Sequence, residues 1–403
     1  MNYSKDEVLQ YVAEEDVKFI RLAFCDVFGR QKNISIMSDE LPRAFEQGIA
    51  FDASAIPGFA DESHSDLFLH PEPETLTWLP WRPEHGKVVR MFCNITYPDG
   101  TPFEYDTRSL LKKAIADAEK SGYTFYFGSE QEFYLMELDE KNEPTNIPYD
   151  NAGYMDIAPE DKSENVRREI CLTLEQMGIA PESSHHEEGP GQNEIDFRYA
   201  DALTAADNVL TFQNVVKTVA KRNGLYADFS PKPIKKTAGN GFHINYSVKP
   251  DKDEKNLYYT ISGILEKAVP MTLFFNPHAD SFDRLGQMKA PKYVSWSREN
   301  RSQLVRLPAA QGEYRRAELR SPDPTANPYL AFALVIWAGL YGLKENKELQ
   351  NPVDINIYKA DDSNIKHLTK LPESIEEARS AARKDDFINT HIPQAIIDVY
   401  CGE

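Results

Sequence analysis

Two glutamates interrupt the apolar segment Phe125–Met136, which is otherwise typical of a β-strand. Glu130 and Glu132 are two residues apart, so their side chains point to the same face, about 7 Å apart along the strand. Adjacent carboxylates repel each other, and their alignment makes sense if cations lie between them. The segment therefore predicts a sheet with one acidic face that can bind metal ions.

Two further segments concentrate side chains that can ligate metals. The first, His185–Asp196, contains Glu187 and Glu194 on either side of a Gly-Pro-Gly turn. The second, Gly239–Asn245, is a glycine-rich turn that leads His243 into a strand. Each segment alone is weak evidence, because an acidic strand end is usually just solvated and a lone histidine such as His243 is more often structural than a ligand. Together with the first strand they predict a metal site assembled from three parts of the chain.

A fourth segment, residues 296–328, carries arginines at short intervals, although the chain has a formal charge of −19. Guanidinium groups match phosphate and carboxylate in shape and charge, so this density in an acidic chain indicates an anion site. Glu318 and Arg320 are again placed on one strand face. Carboxylates for metals and arginines for phosphates are what phosphoryl transfer requires, because charge neutralisation and positioning dominate that chemistry.

The length of 403 residues exceeds what one hydrophobic core usually serves, so two domains are expected. A hydrophobic content of 41% argues against disorder. The first hundred residues read as a mostly β unit, and the turn-rich segment Tyr97–Pro102 predicts a boundary between residues 1–100 and 101–403. This unit has a helical pattern at residues 5–14, and beyond the boundary long helical patterns, among them residues 202–223, alternate with short apolar runs. Periodicity alone leaves α+β and α/β open.

The order of motifs ExEF, HHE…GQNE, GxGxHxN, NRS…R and RxELRxPDPxANPYL resembles the glutamine synthetase family over residues 125–335. The N-terminal unit is similar to the family's β-grasp domain, with Phe51–Ala55 in place of the usual FDGSS. The resemblance implies an α+β fold. A small β-grasp-like domain would precede a larger catalytic domain whose antiparallel sheet is lined by metal ligands and packed with helices.

The resemblance also implies roles for individual residues. The metal ligands form two sets, Glu132, Glu187 and Glu194 in one, and Glu130, His243 and Glu318 in the other. The catalytic positions are Asp52, contributed to the ammonium pocket by a neighbouring subunit, Arg301, beside the transferring phosphoryl group, and Lys289, in the mobile loop. Glutamate would be bound by Gly239, Arg284 and Arg320. The nucleotide would be bound by Tyr154, Asn245, Ser247, Arg306 and Arg316.

Departures from the family pattern concentrate on the amine side. Lys289 stands where the family has a loop glutamate, and a lysine there would repel a cation. Ala238 replaces an asparagine and Ala55 replaces a serine of the ammonium pocket. Asn245 replaces a histidine on the nucleotide side. Three functions stay open: glutamine synthesis from glutamate and ammonia, γ-glutamyl ligation of an alkylamine, polyamine or amino acid, and an inactive or regulatory paralogue.

The resemblance implies Mg²⁺ or Mn²⁺ as cofactor, two or more ions per site, with ATP, glutamate and ammonia or another amine as ligands. It implies a homo-oligomer, and the end at Tyr400–Glu403 leaves a hexamer and a double-ring dodecamer open. The negative charge opposes nucleic-acid binding, and no apolar run predicts a membrane span. Scattered cysteines and no signal-peptide pattern predict a cytoplasmic protein.

Overall fold

A computed structural model describes residues 3–59, 63, 65–82, 84–251, 254–310 and 312–402, so that Glu403 falls outside the described residues. The architecture is α+β, with two sheets and helices packed around them. Within the described ranges, helices long and apolar enough to cross a bilayer are absent.

The first sheet belongs to the N-terminal unit and follows the order β2-β1-β6-β4-β3, with β5 paired to β6. Its strands β1 and β6 run parallel, whereas the other pairs are antiparallel. The strands are β1 (Val17–Cys25), β2 (Gln31–Met37), β3 (Ile49–Asp52), β4 (Asp66–Pro71), β5 (Thr77–Trp78) and β6 (Lys87–Thr96). The helices of this unit are α1 (Lys5–Glu14) and α2 (Leu41–Gln47).

The second sheet carries the candidate site and follows the order β13-β14-β15-β12-β7-β10-β9, with β8 and β11 paired to β7. Its strands are β7 (Thr124–Leu138), β8 (Pro144–Pro148), β9 (Pro181–His186), β10 (Gln192–Asp201), β11 (Leu225–Asp228), β12 (Phe242–Lys249), β13 (Trp296–Arg298), β14 (Val305–Leu307) and β15 (Ala317–Leu319). The predicted antiparallel sheet is in fact mixed, because β13 and β14 pair in parallel.

Helices accompany this sheet, and several of them pack against its strands. They are α3 (Thr107–Lys120), α4 (Glu164–Gln176), α5 (Ala202–Arg222), α6 (Lys255–Phe275), α7 (Pro328–Lys344), α8 (Asp362–Ile365), α9 (Ile375–Lys384), α10 (Asp386–His391) and α11 (Gln394–Cys401). α7 is buried along most of its length, and Phe332 stacks on Phe127 of β7 at 4.3 Å between ring centroids. α6 crosses α7 closely, since a Cβ on Gly263 would lie 2.1 Å from the carbonyl oxygen of Ala338.

Polar contacts join the two sheets where β6 leads into α3. The predicted boundary segment, residues 97–102, lies between these two elements. Asn327, at the start of α7, donates from Nδ2 to the carbonyl oxygen of Val27 and to Oγ1 of Thr107, each at 3.0 Å. Arg108 of α3 pairs with both Glu72 and Asp207. Buried contacts of this kind hold the acidic sheet against the N-terminal unit.

Candidate active site

Strand register brings the separated acidic segments into rows across the second sheet. Asp196 of β10 lies opposite Glu130 of β7, and Glu130 lies opposite His243 of β12. Ser183 of β9 continues the same row beyond Asp196. Because side chains alternate between faces of a strand, residues two apart from this row share its face. One face of the sheet therefore carries carboxylates on β7 and β10, with polar side chains of β9 and β12 on either side.

Neighbouring rows place the remaining predicted ligands beside the first. Glu194 of β10 lies between Glu132 of β7 and His185 of β9. On the other flank, Glu318 of β15 lies between Asn245 of β12 and Arg306 of β14. Glu187 follows directly after β9, and its carboxylate contacts Nε2 of His185 at 3.2 Å. The predicted metal-binding residues thus lie together in the tertiary structure.

Most of the predicted site residues line one open cavity of about 440 Å³. These are Glu130, Glu132, Tyr154, Glu187, Glu194, Gly239, His243, Arg284, Lys289, Arg301, Arg306, Arg316 and Arg320. The cavity therefore has an acidic floor from the strands and a basic side from the segments after α6. Such a pairing of opposite charges suits a complex of metal ions and phosphate.

Glu318 lies directly behind the wall of this cavity. It is fully buried and its carboxylate contacts Arg306 and Arg320, one oxygen to each guanidinium. Its Oε1 is 3.9 Å from Nδ1 of His243. Burial opposes the charge on Arg320, but Glu318 and Glu130 outweigh this effect and raise the pKa of that guanidinium. Glu318 therefore connects the acidic floor to the basic side.

The carboxylates of the acidic floor are crowded enough to resist ionisation together. Burial and the neighbouring Glu187 raise the pKa of Glu132 to about 7. Burial and the charge of Asp196 raise the pKa of Glu194, and burial and Glu130 raise that of Asp196 to about 7. A divalent cation would relieve this repulsion and favour the ionised carboxylates.

Two sets of three residues, which share Glu194, each bring their possible ligand atoms within 4.8 Å of one another. One comprises Glu130, Glu194 and His243, and the other comprises His185, Glu187 and Glu194. Burial and Arg320 lower the pKa of His243, which favours the neutral imidazole that can ligate a metal. Carboxylate oxygens with one imidazole are a donor set that suits Mg²⁺ or Mn²⁺. The residues present therefore fit divalent cations.

Arg284 and Arg320 belong to the basic side of the cavity. Arg284 is buried and donates from Nη1 to the carbonyl oxygen of Ser321 at 2.8 Å and from Nη2 to that of Arg320 at 3.2 Å. Among the described residues, the buried Nε of Arg320 has no hydrogen-bond partner. A Cβ on Gly239 would lie 2.9 Å from Cγ of Arg284, so only glycine permits this close approach.

A second, smaller cavity of about 150 Å³ adjoins the first, and Glu130, Asp196 and Arg316 line both. It contains the predicted nucleotide residues Asn245 and Ser247. The structure adds four tyrosines that the sequence did not indicate, namely Tyr126, Tyr199, Tyr246 and Tyr314. The alternation on β7 could have indicated Tyr126, which shares a face with Glu130.

Two other predicted residues, Tyr154 and Asp52, lie apart from the residues with which they were predicted to act. Tyr154, predicted at the nucleotide, lines the first cavity, where its ring lies 5.5 Å from that of His185. Asp52 is exposed at the end of β3 and accepts hydrogen bonds from Ser54, without lining either cavity of its own chain. Its predicted contribution to a neighbouring subunit stays a prediction.

Three acidic or basic groups in the cavity were not predicted as site residues. His185 contacts Glu187 and lies 3.7 Å from Glu194, and Asp196 extends the acidic row. Glu188 forms an ion pair with Lys289. The HHE run could have indicated His185, and the spacing of two residues from Glu194 could have indicated Asp196. Nothing local in the sequence indicated the ion pair of Glu188 with Lys289.

Comparisons with known proteins agree with this geometry. The family described as "Glutamine synthetase, catalytic domain" matches residues 104–402, and "Glutamine synthetase, beta-Grasp domain" matches residues 16–98. The chain belongs to the glutamine synthetase family. Membership confirms the predicted resemblance, the α+β fold with its β-grasp unit, and the enzyme class, an ATP-dependent carboxylate–amine ligase. It also supports the use of divalent metals.

Individual relatives cover nearly the whole chain. The glutamine synthetase of Clostridium saccharobutylicum is 44% identical over 400 residues, covering 96% of this chain and 90% of its own. That of Methanosarcina mazei is 42% identical over 414 residues, covering 98% and 92%. Among solved structures, a GmaS/ADP complex has a TM-score of 0.88 at 26% identity and covers 99% of this chain and 94% of its own.

Proposed function

We propose that this chain forms glutamine from glutamate and ammonia through γ-glutamyl phosphate, at the expense of ATP. The observation that carries the proposal is the meeting of largely buried carboxylates and five arginines around one cavity, which suits a metal-phosphate complex beside a carboxylate substrate. The level of identity to glutamine synthetases over nearly the full length supports the choice of substrates.

The acidic floor would hold two or more Mg²⁺ or Mn²⁺ ions. Glu132, Glu187 and Glu194 would bind one, and Glu130 and His243, backed by Glu318, would bind another. Bound cations would neutralise phosphate charge and orient the phosphoryl group. Glu194 belongs to both groups of neighbouring ligand atoms, so it would be shared between the ions.

The basic side would position the two substrates. Arg306 and Arg316 would bind the ATP phosphates, and Arg301 would stabilise charge on the phosphoryl group in transfer. Arg284 and Arg320, with the turn at Gly239, would hold the carboxylates of glutamate. Carbonyl oxygens hold the guanidinium group of Arg284 and Glu318 holds that of Arg320, so these two groups are preorganised.

The reaction then proceeds in two balanced steps. An oxygen of the glutamate γ-carboxylate attacks the γ-phosphorus of ATP, and ADP leaves. The ammonia nitrogen attacks the resulting acyl phosphate at carbon, phosphate leaves, and the nitrogen loses a proton. The activation is needed because a bare carboxylate is a poor electrophile.

The second cavity would take the nucleoside. Ser247 and Asn245 line it, and the rings of Tyr126 and Tyr199 lie 6.3 Å apart between centroids. Tyrosine faces suit a purine base. Tyr154, by contrast, lies beside Lys289 in the first cavity, which favours a position near the acceptor amine over one at the nucleotide.

A second candidate is ligation of another amine to glutamate. Lys289 brings an ammonium group into the cavity instead of a carboxylate, and its partner is Glu188. One structural neighbour is named as GmaS, at 28% identity and a TM-score of 0.87 in its ligand-free form. The third predicted function, an inactive or regulatory paralogue, would bind ATP without turnover.

Phosphate release from ATP separates these functions. The purified chain is incubated with Mg²⁺, ATP and glutamate, first alone and then with ammonia or a panel of alkylamines, diamines and amino acids. Stimulation by ammonia above every other amine supports the proposal. Selective stimulation by another amine supports the second candidate. ATP binding without phosphate release under any of these conditions contradicts both.

Asp52 is proposed to complete the site of a neighbouring subunit in a hexamer or double-ring dodecamer. Its exposure and its separation from its own cavity support this arrangement. Subunits carrying Asp52→Ala and subunits carrying Arg301→Ala are denatured, mixed and refolded. Mixed oligomers should recover activity that neither parent shows, because some sites combine two intact halves. No recovery, with assembly verified by light scattering, would contradict shared sites.

A further inference from the structure

The segment Gln287–Ala290 forms a tight turn at the cavity. Met288 and Lys289 both have positive φ, at 44° and 69°, and the amide of Ala290 donates to the carbonyl oxygen of Gln287 at 2.9 Å. Left-handed backbone is unfavourable for residues with a Cβ, so the surrounding contacts must hold the turn. One of them is the hydroxyl of Tyr358, which donates to the carbonyl oxygen of Ala290 at 2.7 Å.

The turn directs the Lys289 ammonium between a carboxylate and an aromatic face. Its Nζ contacts the Glu188 carboxylate and lies 5.3 Å from the ring centroid of Tyr154. Glu188 is anchored by its backbone amide, which donates to Oε2 of Glu187 at 2.9 Å. The ring of Tyr154 is held edge-on by His185. An anionic oxygen and a π-face together bind an organic cation.

Apolar surface lies beside this pair. The thioether side chains of Met155 and Met288 line the same cavity and are 60% and 51% exposed. Methionines adapt to short alkyl chains of differing shape. The surroundings therefore suit an ammonium group that carries a hydrocarbon tail. The lysine side chain is itself such a group.

We propose that Glu188 and Tyr154 form a subsite for a primary alkylammonium ion, and that Lys289 fills this subsite and thereby keeps alkylamines out of the acceptor site. This role of Lys289 rests on the proposed function, in which the acceptor site is where the amine attacks. Lys289 is then a specificity-determining residue that favours ammonia, because ammonia is small enough to enter while the lysine stays in place.

Binding without turnover tests the subsite directly. Titration calorimetry measures n-butylammonium binding to the full-length protein without ATP or glutamate. Lys289→Ala, which keeps a Cβ and so adds no backbone strain, should bind the ion at least about tenfold more tightly than wild type. Lys289→Met, which fills the space without the charge, should show no such gain. The double variant Glu188→Gln/Lys289→Ala should lose it.

Turnover tests the role in specificity. The ratio of kcat/KM for n-butylamine to that for ammonia should rise about tenfold in Lys289→Ala. Lys292→Ala is the matched control, because Lys292 pairs with Glu373 at 3.0 Å and does not line the cavity. Its ratio should equal that of wild type.

The two measurements keep the inference separate from the function it rests on. Butylammonium binding to Lys289→Ala that is no tighter than to wild type, or that survives Glu188→Gln, overturns the subsite, provided circular dichroism shows folded variants. Absence of ammonia-dependent phosphate release by wild type instead contradicts the proposed function and leaves the binding result to decide the subsite alone.

Discussion

Asn245 donates a hydrogen bond from Nδ2 to Oε1 of Glu130 at 2.8 Å, and so connects the second cavity to the acidic floor. The same amide accepts at Oδ1 from Nε of Arg316 at 3.0 Å. One neutral side chain thus holds a proposed metal ligand and a proposed phosphate-binding arginine in a common geometry. An amide can do this because it offers a donor and an acceptor at once.

Asn245→Ala should therefore weaken the binding of magnesium-ATP. Both charged partners lose a hydrogen bond, and bonds to charged groups contribute about 1.5–3 kcal/mol, so the KM for ATP should rise about tenfold or more. Steady-state phosphate release at varied ATP measures the effect. Asn223→Ala, at the exposed end of α5, is the control and should leave KM unchanged. An unaltered KM in Asn245→Ala would show that its hydrogen bonds to Glu130 and Arg316 do not contribute to ATP binding.

Glu194→Gln should weaken divalent-cation binding, because Glu194 belongs to both groups of ligand atoms. We expect at least tenfold weaker Mn²⁺ binding by calorimetry, together with loss of ammonia-dependent phosphate release. Glu137→Gln, at the exposed end of β7, changes the same functional group far from the acidic floor. Equal Mn²⁺ affinity in the two variants would contradict the proposed ligand role.

Acid stability should depend on Glu72, which pairs with Arg108 and Lys112 between the two sheets. Burial alone would raise the pKa of Glu72, but these cations lower it from 4.5 to about 2. A carboxyl group with a lowered folded-state pKa stabilises the fold above its unfolded value, and this contribution is lost as pH falls from about 4.5 towards 2.

Glu72→Gln should consequently lower the melting temperature at neutral pH and reduce its further fall over that acidic range. Scanning calorimetry at several pH values between about 7 and 3 measures both effects. Glu74→Gln, two residues away and exposed, provides the comparison. A wild-type slope in Glu72→Gln would mean that other groups control the acid transition.

Asn327 should be important for stability, because it is fully buried and serves three partners. It caps α7 by accepting from the amide of Tyr329 at 3.0 Å, and it donates to Val27 and Thr107. Asn327→Ala should lower the free energy of unfolding by about 2–4 kcal/mol. Denaturant unfolding measures it, and Ser4→Ala, which removes an exposed cap from α1, should cost only about 1 kcal/mol. Equal losses would contradict the bridging role.

Much of the local structure could be predicted from the sequence. The helical pattern of residues 202–223 corresponds to α5, and that of residues 5–14 corresponds to α1, because caps and apolar spacing act within a few residues. The C-terminal helices α8, α9, α10 and α11 were not identified. Their few turns give weak periodicity, and tertiary packing decides whether such segments become helical.

The sequence by itself determined the chemistry of this protein. It showed carboxylates at alternate strand positions, arginines at short intervals in an acidic chain, and the order of motifs that resembles the glutamine synthetase family. Only the tertiary structure decided that Asp196 joins the row of Glu130 and His243, and that Lys289 meets Glu188. The physical reason is that side-chain direction along a strand has a local period, whereas strand register and the approach of a distant loop depend on the packing of the whole domain.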